Sequence, residues 1–204
     1  HPAYLGKAYW NVLTSRPFLL ACAALSFNFA GFFIYVLSAP AFLMTHLGGS
    51  ETGFLWLFGP AMGGLMLGSW IAGRRAGRHL PAATIKLGYG VMAGAALLNV
   101  VISLALPPGL PWSVLPLFFY TLGMSLAMPN LTLFALDPFP DQRGMAASCQ
   151  TFLQSGFNSL LAGLIAPLIW GSTLTLAGAM AGFLILGSLC MLLYRRSTGL
   201  PRQA

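Results

Sequence analysis

Three neutral amide side chains recur at every fourth position of one apolar stretch, and they are well suited to hold a ligand. Gln150, Gln154 and Asn158 have the spacing that places side chains on one face of an α-helix. Amides that face lipid are costly because nothing there can hydrogen-bond to them, so this face should meet protein or a watery cavity. The amide stripe therefore predicts either a ligand-binding surface or a helix–helix contact.

Two further apolar stretches mix aromatic surface with polar groups in a similar way. Such a lining suits a small amphipathic organic molecule, which is held by apolar contact and a few hydrogen bonds. For each residue the alternative is helix–helix contact without a ligand. Outside the amide stripe, the predicted cavity residues are Asn28, Phe32, Tyr35, Tyr120, Met124 and Asn130.

Ionisable side chains are absent from the centres of the long apolar stretches. Asp137 and Asp141 flank a connecting loop, and the three histidines also lie outside the stretches. A serine protease would need a histidine at membrane depth, and no HExxH zinc motif or pair of buried aspartates occurs. We therefore expect no enzyme, no cofactor, no metal site and no proton carrier in this chain.

The amino-acid composition indicates that this protein is surrounded by lipid and not by water. The 204 residues have a mean hydropathy of +0.80 and only 6% charged residues, whereas a soluble domain carries about 25%. The net charge of +7 does not indicate nucleic-acid binding, because the basic residues form short clusters between apolar stretches. The lipid bilayer is therefore the first expected partner.

Six stretches are long enough to cross a bilayer as helices, which takes about twenty apolar residues each. Helices are required because backbone groups that face lipid must be hydrogen-bonded within their own segment. We predict an all-α membrane protein with a cytoplasmic N-terminal segment at 1–17 and a cytoplasmic tail at 195–204. The six-helix bundle occupies 18–194, with spans at about 18–43, 53–73, 82–106, 112–136, 145–170 and 173–194.

All ten Lys and Arg residues fall on one side of the predicted bundle. They lie before span 1, in and beside the 2–3 loop, in the 4–5 loop and in the C-terminal tail, and the other three loops contain none. Positively charged loops remain cytoplasmic, so both termini are predicted to be inside.

Prolines divide the spans into two groups. An interior proline removes a backbone hydrogen bond and kinks a helix, which suits helices that move or line a cavity. The division recurs after three spans and predicts a three-plus-three inverted repeat with spans 3 and 6 as outer supports. The prolines in or near the ends of spans 1, 2, 4 and 5 are Pro40, Pro60, Pro116, Pro129 and Pro167.

Glycines spaced four residues apart occur in spans 2, 3 and 6. This spacing lets helix backbones approach closely and indicates packing rather than ligand binding. The pairs are Gly59 and Gly63, Gly64 and Gly68, Gly90 and Gly94, and Gly178 and Gly182.

The segment that ends span 2 resembles a loop motif of the major facilitator superfamily of transporters. It runs over 68–78 and carries the R-x-G-R core of the second-half copy, R-A-G-R at 75–78. Arg74 stands before this core, where the first-half copy usually has an acidic residue. The resemblance implies a cytoplasmic gate loop that includes Gly68, Arg74, Arg75, Gly77 and Arg78.

The junction of spans 4 and 5 is similar to the span 10–11 junction of bicyclomycin-resistance (Bcr/CflA-type) multidrug efflux proteins. It contains M-P-N-L-T at 128–132 and P-F-P-D-Q-R-G-M-A-A-S at 138–148. The resemblance covers about residues 15–196, and it implies that the six spans correspond to helices 7–12 of a twelve-helix transporter.

This resemblance implies the C-terminal half of a proton-coupled antiporter that exports small amphipathic drugs across a bacterial inner membrane by alternating access. The expected partners are the missing N-terminal six-helix bundle, a drug-like substrate, and protons handled by that other half. Two alternatives remain open: a complete small protein acting as a homodimeric half-transporter or pore, and a non-transporting membrane interaction subunit.

Overall fold

A computed structural model describes residues 2–46 and 54–199, and these ranges are helical apart from short turns. Residues 1, 47–53 and 200–204 lie outside the described residues, and with them parts of the predicted 1–2 loop and C-terminal tail. The α-helices are α1 (Pro2–Thr14), α2 (Arg16–Leu37), α3 (Phe54–Arg75), α4 (Pro81–Ala105), α5 (Leu115–Leu136), α6 (Arg143–Leu160), α7 (Ala166–Ile169) and α8 (Thr173–Thr198).

Six helical segments in the described ranges are long and apolar enough to cross a membrane. This confirms the all-α six-helix class that the hydropathy predicts. The spans are Arg16–Leu37, Phe54–Arg75, Pro81–Ala105, Leu115–Leu136, Pro140–Ile169 and Thr173–Thr198.

Two of the predicted spans are interrupted by π-helical segments beside prolines. The segment Ala41–His46 follows α2, and Leu161–Ile165 joins α6 to α7. Pro40 and Pro167 have no amide hydrogen to donate to the carbonyl four residues earlier, so the regular α-helical ladder is lost there. Span 1, predicted as one helix over 18–43, therefore ends as an α-helix at Leu37.

The predicted N-terminal segment at 1–17 contains a helix of its own, α1. It ends at Thr14, and Ser15 has an extended backbone with φ −69° and ψ 111° before α2 begins. Pro17 lies in the first turn of α2, where its missing amide hydrogen costs nothing. The chain therefore changes direction at Ser15, and α1 is not a continuation of span 1.

The two central spans, α2 and α5, organise the packing. Helix α2 packs extensively on α8 and α5 packs extensively on α4, while α2 also contacts α5 and α4 also contacts α8. These four helices are spans 1 (α2), 3 (α4), 4 (α5) and 6 (α8). If α2 is exchanged with α5 and α4 with α8, the same helix pairs remain in contact, as the predicted three-plus-three repeat requires. The repeat is unequal in one respect: α3 packs extensively on α5, whereas its counterpart α6 packs sparsely on α2.

The least buried spans are α3 and α6 rather than the predicted outer supports α4 and α8. Helices α4 and α8 are held between a central helix and each other, which covers part of each. The faces of α3 and α6 that point away from this packing have no covering element among the described residues.

Glycine permits the closest helix approaches, although only one of the predicted pairs does so. A Cβ added to Gly64 would meet the Phe118 carbonyl, and one added to Gly68 would meet the Leu122 carbonyl, both on α5. On the other side of α5, Gly123 faces Gly88 of α4. These glycines let α5 lie close to α3 and α4.

The prediction of close packing is wrong for most of the other spaced glycines. Gly90, Gly94, Gly178 and Gly182 have no heavy atom within 4 Å of an added Cβ, counting the neighbours that the structure describes. The spacing alone places two glycines on one face of a helix, but it does not determine which face meets a neighbour.

We predict that Gly64→Ala lowers the free energy of unfolding by about 1–3 kcal/mol, because the new methyl group overlaps the α5 backbone. Thermal unfolding of the purified protein in lipid nanodiscs measures this effect. Gly59→Ala is the matched control, since its added Cβ meets only Leu55 Cδ1 at 4.0 Å. Equal stability of the two variants would contradict the packing of α3 on α5.

Candidate functional site

The predicted amide stripe lies along the flank of α6, the most loosely packed span. Gln150, Gln154 and Asn158 are all half-buried. The Oε1 of Gln150 and the Oδ1 of Asn158 are shielded from solvent and have no hydrogen-bond partner among the described residues. These two oxygen atoms are therefore buried hydrogen-bond acceptors without a donor in the described part of the chain.

A cluster of aromatic rings holds α6 to the rest of the bundle. The ring of Phe157 lies edge-on to Phe27 of α2 with centroids 5.2 Å apart, and edge-on to Phe183 of α8 at 6.5 Å. Offset and edge-to-face ring pairs are favourable beyond the area that they bury. The amide stripe is adjacent to this contact rather than part of it.

A neighbouring side of α6, about 100° around the helix from the amide stripe, exposes a row of hydroxyl side chains that were not predicted as site residues. Ser148, Thr151 and Ser159 donate to the carbonyls four residues earlier at 2.9–3.0 Å. Their spacing on one helix face was the available signal. A shallow groove of about 560 Å³ follows this face and is lined by Ala147, Ser148, Thr151, Phe152 and Ser155.

Several residues predicted to line the cavity instead tie helices together inside the bundle. The Asn28 Nδ2 donates to the Tyr89 hydroxyl at 2.7 Å, and that hydroxyl donates to the Gly187 carbonyl at 3.3 Å. The Tyr120 hydroxyl donates to the Asn28 carbonyl at 3.0 Å. This four-helix cluster, centred on Asn28, joins α2, α4, α5 and α8.

A second polar cluster lies two helical turns further along α2. The Asn99 Nδ2 of α4 donates to the Tyr35 hydroxyl at 2.6 Å and lies 3.4 Å from the Met180 sulfur of α8. Tyr35 is 1% exposed and Asn99 is 2% exposed, so the bond is inaccessible to solvent. Sequence reasoning missed Asn99 and Tyr89, although a lone polar residue in an apolar span is a usable signal.

The remaining predicted cavity residues separate into a buried pair and a half-buried residue. Phe32 and Met124 belong to the core, with 5% and 3% exposure. Asn130 is half-buried, and its Nδ2 donates to the Leu126 carbonyl at 3.2 Å. The structure therefore does not bring the nine predicted residues to one surface.

The predicted gate loop is a tight turn between α3 and α4. Gly77 has φ +73°, and the Arg75 Nε donates to the Thr84 hydroxyl at 3.3 Å. The Arg74 guanidinium lies 3.9 Å from the centre of the Trp70 ring, an arrangement that favours cation–π attraction. Gly68 lies earlier, inside α3 and against α5, so it contributes to packing rather than to the turn.

The exposed cations of this turn have no acidic partner within 2–46 and 54–199. Arg74 and Arg78 are both exposed. The one ion pair found among the described residues joins Arg143 to Asp137 at 3.2 Å, in the 4–5 loop. No grouping of His, Cys, Asp and Glu in these ranges could hold a metal ion.

Comparison with known proteins gives one family match. A family model described as Major Facilitator Superfamily matches residues 2–160, a region that runs from α1 to the end of α6. No curated protein and no solved structure was found to match.

We predict that Tyr35→Phe lowers the free energy of unfolding by between about 0.6 and about 1.7 kcal/mol, which are the average and the maximum for hydrogen bonds between membrane helices. The change leaves the Asn99 amide without its oxygen partner in a buried site. Thermal unfolding measures the loss, and Tyr9→Phe, which removes a hydroxyl from an exposed side chain, is the control. The interpretation fails if both variants unfold at the same temperature.

We also predict that Gly77→Ala lowers the free energy of unfolding by about 1–2 kcal/mol, because a side chain at positive φ clashes with its own backbone. Gly73→Ala is the matched control: both glycines have open space around an added Cβ, but Gly73 is helical. The control should be neutral or slightly stabilising. Protease resistance of the 2–3 loop and thermal unfolding both report the difference.

Proposed function

Since the chain belongs to the major facilitator superfamily of membrane transporters, we propose that it is the C-terminal six-helix bundle of a proton-coupled drug antiporter. The protein is a multi-pass membrane protein. We place it in a bacterial inner membrane on the resemblance of its span 4–5 junction to Bcr/CflA-type efflux proteins. We place both termini in the cytoplasm because its basic residues all lie on one side of the predicted bundle. A second bundle completes the transport path.

The observation that carries this proposal is the loosely packed helix α6, which is polar but has no charged residue after Arg143. Its hydroxyl face and its amide stripe cover two neighbouring sides of one span. The hydroxyls of this face bond to carbonyls of α6 itself, but the shielded oxygens of Gln150 and Asn158 have no partner among the described residues. Lipid offers them none, so the amide stripe should meet a ligand, water or another helix. The arrangement supports α6 as a wall of a substrate path, in which Gln154 contacts the substrate.

Helix α3 supports the same path from the corresponding position in the repeat. The face opposite its packing glycines exposes Met62 and Met66, which are 42% and 74% exposed, and Leu55. Methionine side chains are flexible and polarisable, so they adapt to ligands of different shape. An apolar surface of this kind suits amphipathic compounds better than sugars or ions.

The substrate that fits these walls carries few charges. No Asp, Glu, Lys, Arg or His lies at the centre of the spans, so a charged compound at that depth would find no counter-ion on this bundle. The same lack assigns proton handling to the other bundle. Coupling then depends on movement of the two bundles relative to each other.

The exposed arginines of the 2–3 turn contribute to closure at the cytoplasmic end. Arg74 and Arg78 are exposed and have no acidic partner in the part of the chain that the structure describes. Carboxylates on the other bundle would pair with them when that end closes. Arg75 is directed to Thr84 instead and fixes the turn on α4.

Drug accumulation in cells that produce the transporter containing this bundle tests the function. We expect lower accumulation of lipophilic drugs while a proton gradient is present, and recovery of accumulation when a protonophore collapses the gradient. Accumulation equal to that of control cells under both conditions, with the protein present in the membrane, would overturn the proposal.

We predict that Gln154→Leu changes the drug concentration for half-maximal growth inhibition by about two- to tenfold, the effect of one hydrogen bond of about 0.5–1.5 kcal/mol. The amount of protein in the membrane should not change. Leu189→Met, on the exposed face of α8, is the control. Unchanged resistance to several drugs would indicate that the amide stripe contributes to helix packing and does not contact the substrate.

A further inference from the structure

Helix α1 has three distinct faces, and the transport function uses none of them. At 100° per residue, Ala8 and Val12 share one side of the helix. They are 5% and 0% exposed, and α1 packs on α2 and α6. This face therefore attaches α1 to the bundle.

The two flanks of α1 differ sharply in polarity. Tyr9 and Leu13 lie one turn apart on one flank, and Lys7 and Asn11 lie one turn apart on the other. Trp10 projects opposite the attached face and is 69% exposed, although its indole is the largest side chain in the helix. Such an exposed indole is poorly accommodated by water alone.

The position of α1 places these flanks at a membrane surface. Only Ser15 separates α1 from α2, which begins at Arg16, and α6 begins at Arg143. The rings of Phe18 and Phe139, 5.8 Å apart, join the start of span 1 to the loop that precedes span 5. Helix α1 therefore lies beside the ends of two membrane spans, at the level where hydrocarbon gives way to headgroups.

We propose that α1 is an interfacial helix that binds the anionic headgroups of the adjacent lipid leaflet. The flank of Tyr9 and Leu13 enters the boundary of the acyl chains, together with the indole of Trp10. Lys7 and Asn11 face the headgroups and water. A helix with one apolar and one basic, polar side lies in the plane of the interface in this way.

The positive charge of α1 and of the start of α2 indicates that the lipid partner is anionic. Helix α1 contains no acidic residue, and two basic residues are exposed: Lys7 midway along the helix and Arg16 two residues beyond its end. Basic groups next to a membrane span are attracted to phosphatidylglycerol or cardiolipin headgroups. Tryptophan and tyrosine favour the same layer, where the ring is apolar and its polar edge remains hydrated.

Fluorescence quenching in proteoliposomes tests the proposal. A protein that retains Trp10 as its single tryptophan is prepared by substituting Trp56, Trp70, Trp112 and Trp170 with Phe. Lipids brominated near the headgroup should quench Trp10 at least about twofold more strongly than lipids brominated near the chain ends, as expected for an interfacial ring. Should this variant not fold, the difference in quenching between the wild-type protein and Trp10→Phe gives the same information.

A displaced reporter provides the matched control. In the same background, Trp10→Phe with Asn11→Trp moves the indole by about 100° toward the polar flank. This indole should respond to aqueous iodide more than to brominated lipid. Strong iodide quenching of Trp10 itself would place α1 in water, and protection from both quenchers would mean that protein covers it. Either result would overturn the proposal.

The lipid charge is tested separately from the depth of the helix. Quenching of Trp10 by brominated lipid should be greater in phosphatidylglycerol vesicles than in phosphatidylcholine vesicles, and Lys7→Gln should reduce this difference. Equal quenching in both vesicles for the wild-type helix would overturn the choice of an anionic partner. The measurement does not depend on drug transport, so it is independent of the proposed function.

Discussion

Hydrogen bonds between buried polar side chains hold this bundle together, because lipid offers them no other partner. Asn28 and Tyr35 lie two turns apart on α2, and each is joined to both α4 and α8 through a cluster of polar groups. Breaking either cluster would leave donors or acceptors unpaired in an apolar interior. Helices α2, α4 and α8 therefore form a fixed unit, to which α5 is attached through Tyr120 and through close glycine contacts.

Helix α6 departs from this arrangement, and the departure connects structure to transport. Aromatic contacts attach it through Phe157, while the shielded amide oxygens of Gln150 and Asn158 have no partner in the described chain. Its regular hydrogen bonding gives way to a π-helical segment before Pro167. Helix α2 also has an unpaired buried acceptor and a π-helical end, so the weak attachment of α6 is what distinguishes it from the fixed unit. A weakly attached span is better suited to contact a ligand or to move.

The spans and the class of fold were predictable because lipid constrains them so strongly. Apolar length, together with the need for internal backbone hydrogen bonds, leaves only a helix for each stretch. The breaks in spans 1 and 5 follow from Pro40 and Pro167, but their π-helical form was not predictable. The candidate site was harder to predict. Three of its predicted ligand contacts instead form hydrogen bonds within the bundle: Asn28, Tyr35 and Tyr120. Tyr89 and Asn99, their partners, were not selected.

The sequence by itself determined that this protein crosses a membrane six times, and it determined which side chains share a helix face. Both properties follow from local periodicity and hydropathy, which need no knowledge of neighbouring helices. Only the tertiary structure decided which face meets which helix. Gly64 packs closely and Gly94 does not, although both have glycine four residues away. It likewise separated the buried polar clusters from the half-buried amide stripe with which the sequence analysis began. The physical reason is that a polar side chain is stabilised by any partner, and the rotation of each helix determines whether that partner is another helix or a ligand.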